Sequence, residues 1–414
     1  MVSSGVSSLI PFGLISYLIL VRLCRYRRVN KTTAKYSTHL PLEITPQEAQ
    51  QIVHDSFLYD APMTMLLGTQ ITLFKVFGIA SIASILFKSG HLTKESEMNK
   101  RLADTSTLIA TFVSNPYPPR AGTDDASDPR AAIALARVNW IHAKYPIKND
   151  DYLYNLALFM LEPIRWTSRF NWRPLTELER KAIFILWTGI GRDLGIEVIW
   201  ESYEDMEAWA DTYEQEHMLP SEDAYNISRV VIDHFMKRVP RLPGLRSLAY
   251  NTILALLDER TRYAMQLPTP SALVAHTIYT LFYARAWIVR HLCLPRRKPA
   301  LWVQIDSPTG SSPSSDGVPR MQAVFQRRSG PYYYPEKTGF GLILQNLLLK
   351  LGLKNPNKVP GKRWQSEGYR LEELGPARWV NEGHQEVLHA AEQIQGCSIR
   401  GPWSLAARRP EAPS

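Results

Sequence analysis

Apolar residues recur at helical spacing along most of the chain, and this periodicity constrains its fold more than any other feature. Side chains at i, i+3, i+4 and i+7 form a stripe that a helix buries against a neighbour. Alternation typical of β-strands is confined to 301–305 and 322–326, which fit one short hairpin. The pattern therefore predicts an all-α fold, with helices at 46–58, 62–88, 95–114, 129–145, 149–166, 175–194, 203–216, 221–238, 245–265, 270–293, 340–351 and 382–395.

The N-terminus carries an apolar run at 9–21 that is followed by six basic residues between positions 22 and 35. With Val6 and a snorkelling Arg22, the run approaches the ~20 apolar residues of a membrane span. A cleaved signal peptide would have its basic residues before the apolar run, and a cleavage site of small residues after it. We therefore expect an uncleaved transmembrane anchor at 9–23, with a membrane-lying helix as the alternative. The positive-inside rule then places the N-terminus in the lumen and the body in the cytosol.

Two other apolar stretches, 63–87 and 272–294, resemble membrane spans in length. The first contains Lys75, and the second contains two arginines and two histidines. Charged groups are expensive in the hydrocarbon of a bilayer. We therefore predict that both stretches are buried core helices.

Composition and patterning divide the chain into segments. Stretches 122–128 and 307–319 are predicted to be loops, and no internal repeat is visible. The expected segments are a short lumenal N-terminus (1–8), the anchor (9–23), a basic linker (24–44), a single all-α domain (45–295), an irregular C-terminal region (296–395) and a disordered tail (396–414).

The net charge of +9 is unevenly distributed. Residues 1–40 carry +6 and residues 290–414 carry +8, whereas the middle of the chain carries −5. A nucleic-acid-binding protein usually has its basic residues along a folded groove, interleaved with aromatic residues. Basic ends on a mildly acidic body fit a membrane surface better, and we expect no nucleic-acid partner.

Several common catalytic motifs are missing from the sequence. The three cysteines, Cys24, Cys293 and Cys397, form no CxxC motif, haem-attachment site or zinc motif, and their odd number suits a reducing compartment. There is no Gly-rich phosphate loop, no HExxH and no GxSxG. His384 and Glu386 reproduce half of a two-histidine, one-carboxylate iron site, but on a weak helix and without strand context.

One histidine has the surroundings expected of a cofactor ligand. Leu135, Val138, His142 and Tyr145 recur at i, i+3, i+7 and i+10, so His142 lies on the apolar stripe of its helix. A lone histidine on such a face is more often a core residue than a ligand. A neutral imidazole in an apolar wall is nevertheless what a proximal haem ligand requires.

Polar and aromatic residues on both sides of this stretch have two interpretations each. Arg101 and Thr105 share a helical face. They are either an exposed arginine and a threonine bonded to its own helix, or a cation and a hydroxyl that face an anionic or oxygen-bearing cofactor. Trp172, Phe184 and Trp187 belong either to ordinary core packing, the commoner case, or to an apolar pocket.

Three segments in this order resemble a known family. They are RxxDT at 101–105, RVNWIHxKYPIxNDDxLYxLxxF at 137–159 and WRPLTELERKA at 172–182. The chain resembles the fungal ER-bound oxygenases of the MpaB type, which are distantly related to the bacterial latex-clearing rubber oxygenases. The resemblance covers roughly residues 45–270, and its most specific part is the second segment.

The resemblance implies an all-α catalytic domain that holds a non-covalent haem b. It implies that His142 is the proximal ligand of the haem iron, and that Arg101 and Thr105 contact the haem on the oxygen side as catalytic residues. The rubber enzymes have a lysine directly before that threonine, which can cap the iron. This chain has Asp104 there, so we expect no lysine-capped state.

The resemblance also implies a reaction and a location. The expected activity is that of an oxidoreductase, which uses dioxygen to cleave a C=C bond in a lipophilic isoprenoid or polyketide-type intermediate of fungal secondary metabolism. The expected location is the endoplasmic reticulum membrane, with a single span and a cytosolic catalytic domain.

Two other functions stay open at this point. A haem monooxygenase would hydroxylate or epoxidise the substrate without breaking a C–C bond. A non-catalytic, membrane-tethered helical protein would bind a partner or carry a hydrophobic ligand. The sequence indicates a lipophilic small molecule and a membrane as partners, whereas the substrate and the oligomeric state are not specified by it.

Overall fold

The computed structural model describes residues 3–36, 44–117, 128–301, 303–305, 320–326 and 331–404. Within these residues the regular secondary structure is helical apart from one β-bridge and one short hairpin, which confirms the all-α prediction. The helices are α1 (Ser3–Tyr36), α2 (Pro46–His54), α3 (Pro62–Phe77), α4 (Ala80–Lys88), α5 (Glu95–Ser114), α6 (Arg130–His142), α7 (Asn149–Phe170), α8 (Glu177–Asp193), α9 (Tyr203–His217), α10 (Glu222–Met236), α11 (Leu245–Leu256), α12 (Glu259–Ala264), α13 (Ala272–Leu292), α14 (Gly339–Lys350) and α15 (His384–Gln395).

The remaining regular structure is brief. A π-helical turn, Asp55–Asp60, follows α2, and 3-10 turns connect the C-terminal elements. The antiparallel hairpin pairs β1 (Val303–Ile305) with β2 (Ala323–Gln326), as the alternation predicts. The predicted loop at 307–319 and residues 122–127 of the other predicted loop lie outside the described residues.

The described residues form two compact units that are interleaved in sequence. The first comprises Met1–Ser84, Lys148–Arg192 and Ile196–Ala300, and the second comprises Ile85–Ile147, Asp193–Gly195 and Leu301–Ser414. The division expected from the sequence is continuous and assigns 45–295 to one domain. In the structure α5 and α6 instead cluster with the C-terminal residues, because those residues cover them.

The first unit is organised around a close contact between α3 and α7. A Cβ atom at Gly68 would lie 2.5 Å from the Cα atom of Pro163, so only glycine allows the two backbones to approach this closely. Near the end of α3, the buried Lys75 ammonium forms ion pairs with Glu214 at 2.8 Å and with Glu162 at 3.3 Å. Stretch 63–77 is therefore part of a core helix, as predicted.

Two predicted helices are broken. The stretch 62–88 forms α3 and α4, which meet at an angle of 89° around Gly78. The stretch 245–265 forms α11 and α12, because the Asp258 side chain accepts a hydrogen bond from the Thr261 backbone and caps a new helix. Apolar periodicity continues across both breaks, so the pattern alone does not reveal them.

Helix α1 is longer than the predicted anchor and has two different halves. Between residues 12 and 20 its apolar side chains are mostly exposed, among them Phe12 (71% exposed). Its second half contains most of the basic residues that were expected to form a linker, and it packs on the first unit: Arg25 is buried and donates a hydrogen bond to the Leu294 carbonyl at 2.9 Å. The basic stretch is therefore helical through Tyr36.

Helix α13 corrects the prediction that 272–294 is a buried core helix. None of its residues is buried, and large apolar side chains such as Leu273 (76% exposed) and Trp287 (58% exposed) face outward. Among the described helices, one single helix, α13, is long and apolar enough to cross a membrane. Helices α3 and α4 meet the same criterion of length and composition when they are taken together as one bent span. Among the described residues of α1, where the predicted anchor lies, the same test finds no such stretch.

The second unit is built on α5 and α6, and the C-terminal residues pack against them. The apolar face of α15, with Val387, Leu388 and Ala391, is buried. The start of the expected disordered tail is also ordered, because Arg370 donates hydrogen bonds to the carbonyls of Pro402 and Trp403, both at 3.0 Å. Residues 405–414 lie outside the described part of the chain.

Candidate functional site

Helix α6 presents His142 in its last turn. The helix is buried from Ala131 to Arg137, so its position is set by packing along most of its length. It ends because Pro146, four residues beyond His142, cannot continue the helical hydrogen bonds. The chain turns there, and the Tyr145 amide donates to the His142 carbonyl at 2.9 Å. The imidazole thus lies at the boundary between a rigid helix and a tight turn.

A buried arginine attaches α6 to the C-terminal region. Arg137 is fully buried, and its guanidinium donates to the carbonyls of Leu374 and Trp379, both at 2.7 Å, and of Glu382 at 2.8 Å. Burial lowers the pKa of Arg137 to about 10, which leaves the side chain charged at neutral pH. Sequence patterning gave no role to Arg137, although it opens the most specific family segment.

Two glycines let the C-terminal region approach α6 closely. Gly375 and Gly383 both have positive φ angles, of 118° and 74°. A Cβ atom at Gly375 would lie 2.6 Å from Ile141, and one at Gly383 would lie 2.1 Å from Trp140. A larger residue at either position would be strained and would displace the residues next to His142. The C-terminal region therefore forms part of the surroundings of the candidate ligand.

The electrostatic surroundings of His142 favour its neutral form. Burial lowers its pKa to about 4, and the positive charge of Arg101 contributes in the same direction. At neutral pH the ring is therefore uncharged, and the neutral imidazole is the form that ligates metals. This agrees with the requirement that was inferred from the apolar stripe.

Arg101 and Thr105 lie one turn apart on α5, in the same unit as His142. Within the part of the chain that the structure describes, neither side chain has a hydrogen-bond or ion-pair partner. Burial lowers the pKa of Arg101, whereas Tyr145 and Asp104 raise it by their charge interactions. A partly buried guanidinium without a bonded carboxylate is suited to binding an anionic or oxygen-bearing group.

Asp104 is fully engaged in the protein interior. Its carboxylate accepts hydrogen bonds from Lys100 Nζ at 2.6 Å, from the Gly375 amide at 3.0 Å and from the Tyr333 hydroxyl. Lys100 also donates to the Gly375 carbonyl at 2.7 Å. We refer to Lys100, Asp104, Tyr333 and Gly375 as the Asp104 cluster. It joins α5 to the C-terminal region, a role that only long-range contacts reveal.

The third family segment, 172–182, has a structural role in the first unit. Arg173 donates to both oxygens of Glu179, at 2.7 Å each, and to Asp60 Oδ2 at 2.7 Å. Trp172 is buried, and its indole nitrogen donates to the Asp60 carbonyl at 3.0 Å. The Thr176 amide donates to the Glu179 carboxylate and the Glu179 amide donates to the Thr176 hydroxyl, which together form a capping box. The segment thus fixes the start of α8.

Trp187 and the half-motif at His384 and Glu386 have no role in the candidate site. Trp187 stacks on Phe159 with ring centroids 4.8 Å apart, which is core packing within the first unit. His384 Nε2 bonds to the Val380 carbonyl at 2.7 Å, whereas Glu386 is exposed. Among the described residues, no group of three His, Cys, Asp or Glu could hold a metal ion, so the half-motif at 384–386 is not part of such a site.

Comparison with known proteins gives consistent results. Residues 78–290 match the family model described as ER-bound oxygenase mpaB/B′/rubber oxygenase, catalytic domain. An ER-bound oxygenase mpaB′ from Penicillium brevicompactum is 25% identical over 92% of this chain and 90% of its own length. Two proteins named ER-bound oxygenase mpaB are also similar. The one from Penicillium roqueforti (strain FM164) is 29% identical over 61% of this chain and 87% of its length, and the one from P. brevicompactum is 30% identical over 64% and 70%.

Proposed function

The chain belongs to the family of ER-bound oxygenases of the mpaB/B′ type and rubber oxygenases, and from this membership we propose that it is a haem-dependent enzyme that cleaves a C=C bond of a lipophilic substrate. As a member of the family it is an oxygenase, and hence an oxidoreductase that uses dioxygen. The observation that carries the haem proposal is His142. Its pKa of about 4 keeps the imidazole neutral in the family segment from which the ligand is expected.

The residues present fit a non-covalent haem b. His142 provides a neutral nitrogen for the proximal position of the iron. Arg101 provides a positive charge without a bonded carboxylate among the described residues, and Thr105 provides a hydroxyl on the same stripe of α5. The absence of a CxxCH motif is in line with non-covalent binding. When bound, the haem supplies the iron that binds dioxygen and carries the redox chemistry.

The protein's own contribution is to hold these groups in place. The three carbonyl bonds of Arg137 restrain α6, so that the proximal imidazole keeps one orientation. On α5, the Asp104 cluster restrains the helix that carries Arg101 and Thr105. A fixed guanidinium can donate hydrogen bonds to negative charge that develops on oxygen, with little reorganisation during the reaction.

The proposed reaction adds both atoms of one dioxygen across a C=C bond and breaks that bond, which yields two carbonyl groups. This stoichiometry has no net demand for electrons, and the sequence contains no phosphate-binding loop for a nicotinamide or flavin cofactor. The proposed substrate class, a lipophilic isoprenoid or polyketide-type intermediate, is what the family resemblance implies. A membrane setting suits it, because such a molecule partitions into the bilayer. We assign such an enzyme to secondary metabolism.

The proposed location is the endoplasmic reticulum membrane, which the names of the relatives also carry. The apolar stretch 9–23 within α1 is the proposed single span, and the basic residues after it favour a cytosolic body. This topology predicts that Asn226 in the sequon at 226–228 stays unglycosylated, and a glycan on it would reverse the topology.

Labelled dioxygen tests the reaction. The purified full chain should show a haem Soret band and should convert its substrate with oxygen and an initial reductant, but without continuous NADPH. Both new carbonyls should carry the label before they exchange with water. An intact carbon skeleton with one added oxygen, formed only with NADPH and a reductase, would instead identify a monooxygenase.

A further inference from the structure

A second histidine of the second unit has an unused buried nitrogen. His91 is 6% exposed, and its Nδ1 atom lies 2.6 Å from Oε2 of Glu97. Its Nε2 atom is buried and has no hydrogen-bond partner among the described residues. A carboxylate that accepts from Nδ1–H fixes the tautomer, so the lone pair is on Nε2. The protein thus holds a basic nitrogen ready for a donor that it does not itself supply.

The position of Glu97 connects His91 to the candidate site. Glu97, Arg101 and Thr105 follow one another at intervals of four residues on α5, so they lie along one stripe of the helix. Successive members are about 6 Å apart along the helix axis. His91 therefore lies at the N-terminal end of the stripe that carries the proposed oxygen-side residues. Lys100 and Asp104 belong to the neighbouring stripe and are occupied by the Asp104 cluster.

The charges around His91 are compatible with reversible proton uptake. Burial lowers its pKa, and Arg101 and Arg378 act in the same direction, whereas the hydrogen bond from Nδ1 to Glu97 raises it. The ring is consequently neutral at rest, and the Glu97 carboxylate can stabilise the imidazolium that forms when Nε2 accepts a proton. A base oriented by a third group is a common arrangement in proton-transfer sites.

We propose that His91, oriented by Glu97, is the proton-accepting residue on the oxygen side of the site. This proposal rests on the proposed haem-dependent function and adds a residue to it. The transfer takes one proton from a protic ligand or substrate: the bond from that proton to the ligand breaks, an Nε2–H bond forms, and the electron pair stays with the ligand. No additional oxidant or reductant is required.

Cyanide and carbon monoxide together test this step in the full chain. Hydrogen cyanide must release a proton when it binds to ferric haem, whereas carbon monoxide binds ferrous haem without proton transfer. His91→Leu should slow cyanide association by about 10²-fold or more, the range that general bases contribute, and leave carbon monoxide association within about twofold. His91→Gln, which can still donate to Glu97, should behave in the same way. The exposed His389 of α15 provides the control, because His389→Leu should change neither rate.

The outcomes separate this proposal from the proposed function. A normal Soret band with unchanged cyanide kinetics in both His91 variants would refute the role of His91 and leave the haem function intact. Equal slowing of both ligands would indicate blocked access and would also refute it. Nitrogen NMR of the haem-free chain must find His91 Nε2 unprotonated, and the opposite tautomer would exclude the mechanism. A wild-type chain that binds no haem would remove both proposals.

An independent observation concerns α14, whose apolar stripe faces outward. Phe340, Ile343, Leu344, Leu347 and Leu351 recur at i, i+3, i+4, i+7 and i+11, and Phe340 (79%) and Ile343 (66%) are the most exposed of them. A water-exposed helix normally has the opposite arrangement, as in α15, where Val387 and Leu388 are buried. The exposed stripe therefore requires an apolar partner.

Charge and length indicate what that partner is. Residues 336–363 contain six basic residues and one acidic residue. Five of the basic residues are exposed: Lys337, Lys350, Lys358, Lys362 and Arg363. Twelve helical residues extend about 18 Å, which is too short to cross the hydrocarbon core. We infer that α14 lies in the surface of an anionic bilayer, with its stripe among the acyl chains and the flanking basic residues at the headgroups.

A fluorescent reporter tests this contact in the full chain. In a background with the three cysteines replaced by serine, an NBD label at Leu347→Cys should shift to shorter wavelength on vesicles that contain phosphatidylserine, and nitroxide lipids should quench it. The same label at Glu386→Cys on α15, a helix of equal length with its apolar face buried, should stay in water. An unshifted and unquenched Leu347 label refutes the inference. A shift that depends on protein concentration without lipid would identify a second copy of the chain as the partner instead.

Discussion

Replacing Asp104 should destabilise the fold, although this residue lies beside the proposed catalytic Thr105 in sequence. Asp104 is 2% exposed, and its carboxylate accepts three hydrogen bonds, one of them from the buried Lys100 ammonium. Asp104→Ala leaves that ammonium with the Gly375 carbonyl as its remaining acceptor. Removing one partner of a buried ion pair typically costs about 3–5 kcal/mol, because the other charge stays buried without compensation. We therefore expect a loss of about 3–5 kcal/mol in the free energy of unfolding.

Denaturant unfolding of the full chain measures this loss. The exposed Asp211, which pairs with Arg165 at 2.9 Å, provides the control, and Asp211→Ala should cost less than about 1 kcal/mol. The double variant Lys100→Met, Asp104→Leu removes both charges and should recover stability relative to Asp104→Ala. A loss below about 1 kcal/mol for Asp104→Ala would refute the assignment of this cluster to fold stability. Asp104 would then lie next to Thr105 in the sequence without a measurable effect on stability.

Four further predictions concern the site itself. His142→Ala should abolish most haem absorbance while far-ultraviolet circular dichroism is unchanged, and a normal spectrum would mean that another residue is the ligand, with His234 and His276 as the next candidates. Arg101→Ala and Thr105→Ala should keep haem but lower turnover by about 10²–10³-fold. Unchanged turnover in both variants would mean that these residues do not lie on the side of the haem where dioxygen binds. Arg137→Ala should lower the free energy of unfolding by about 3 kcal/mol or more, because three carbonyls lose their donor. A loss of less than about 0.5 kcal/mol would contradict the role of Arg137 in attaching α6 to the C-terminal region. The pKa of His142 is about 4 in the folded chain and 6.5 in its ordinary state, so the unfolded chain takes up the proton at higher pH than the folded chain does. The melting temperature of the haem-free protein should therefore fall between pH 6.5 and pH 4. This fall should be smaller in His142→Ala.

Local rules explain why much of the helical pattern could be predicted. Helix α5 has the predicted limits because its apolar periodicity is uninterrupted. The start of α8 is close to the predicted one, because the capping box of Thr176 and Glu179 needs only four consecutive residues. The break at Gly78 was missed because apolar residues continue on both sides of it. The exposure of α13 was missed for a similar reason, since an apolar helix in a core and one that faces outward have the same composition.

The long-range contacts of the second unit could not be predicted in the same way. Asp104 could be assigned to a different stripe from Arg101 by helical geometry, but its partner Tyr333 is 229 positions away in sequence. The contact between His91 and Glu97 could be predicted from the sequence, because the two residues are six positions apart. The burial of Nε2 could not. Burial depends on which elements cover a residue, and no periodicity specifies that.

The sequence by itself determined the helical class, most helix positions, the family and the candidate residues His142, Arg101 and Thr105. These follow from short-range physics and from segments whose residues are adjacent in the chain. The tertiary structure decided that α5 and α6 form a unit with the C-terminal residues, that Arg137 and Asp104 hold this unit together, and that α13 and α14 expose apolar faces. Each of these depends on contacts between residues separated by tens to hundreds of positions. Such contacts arise from the combined packing and desolvation of several elements, which no local pattern encodes.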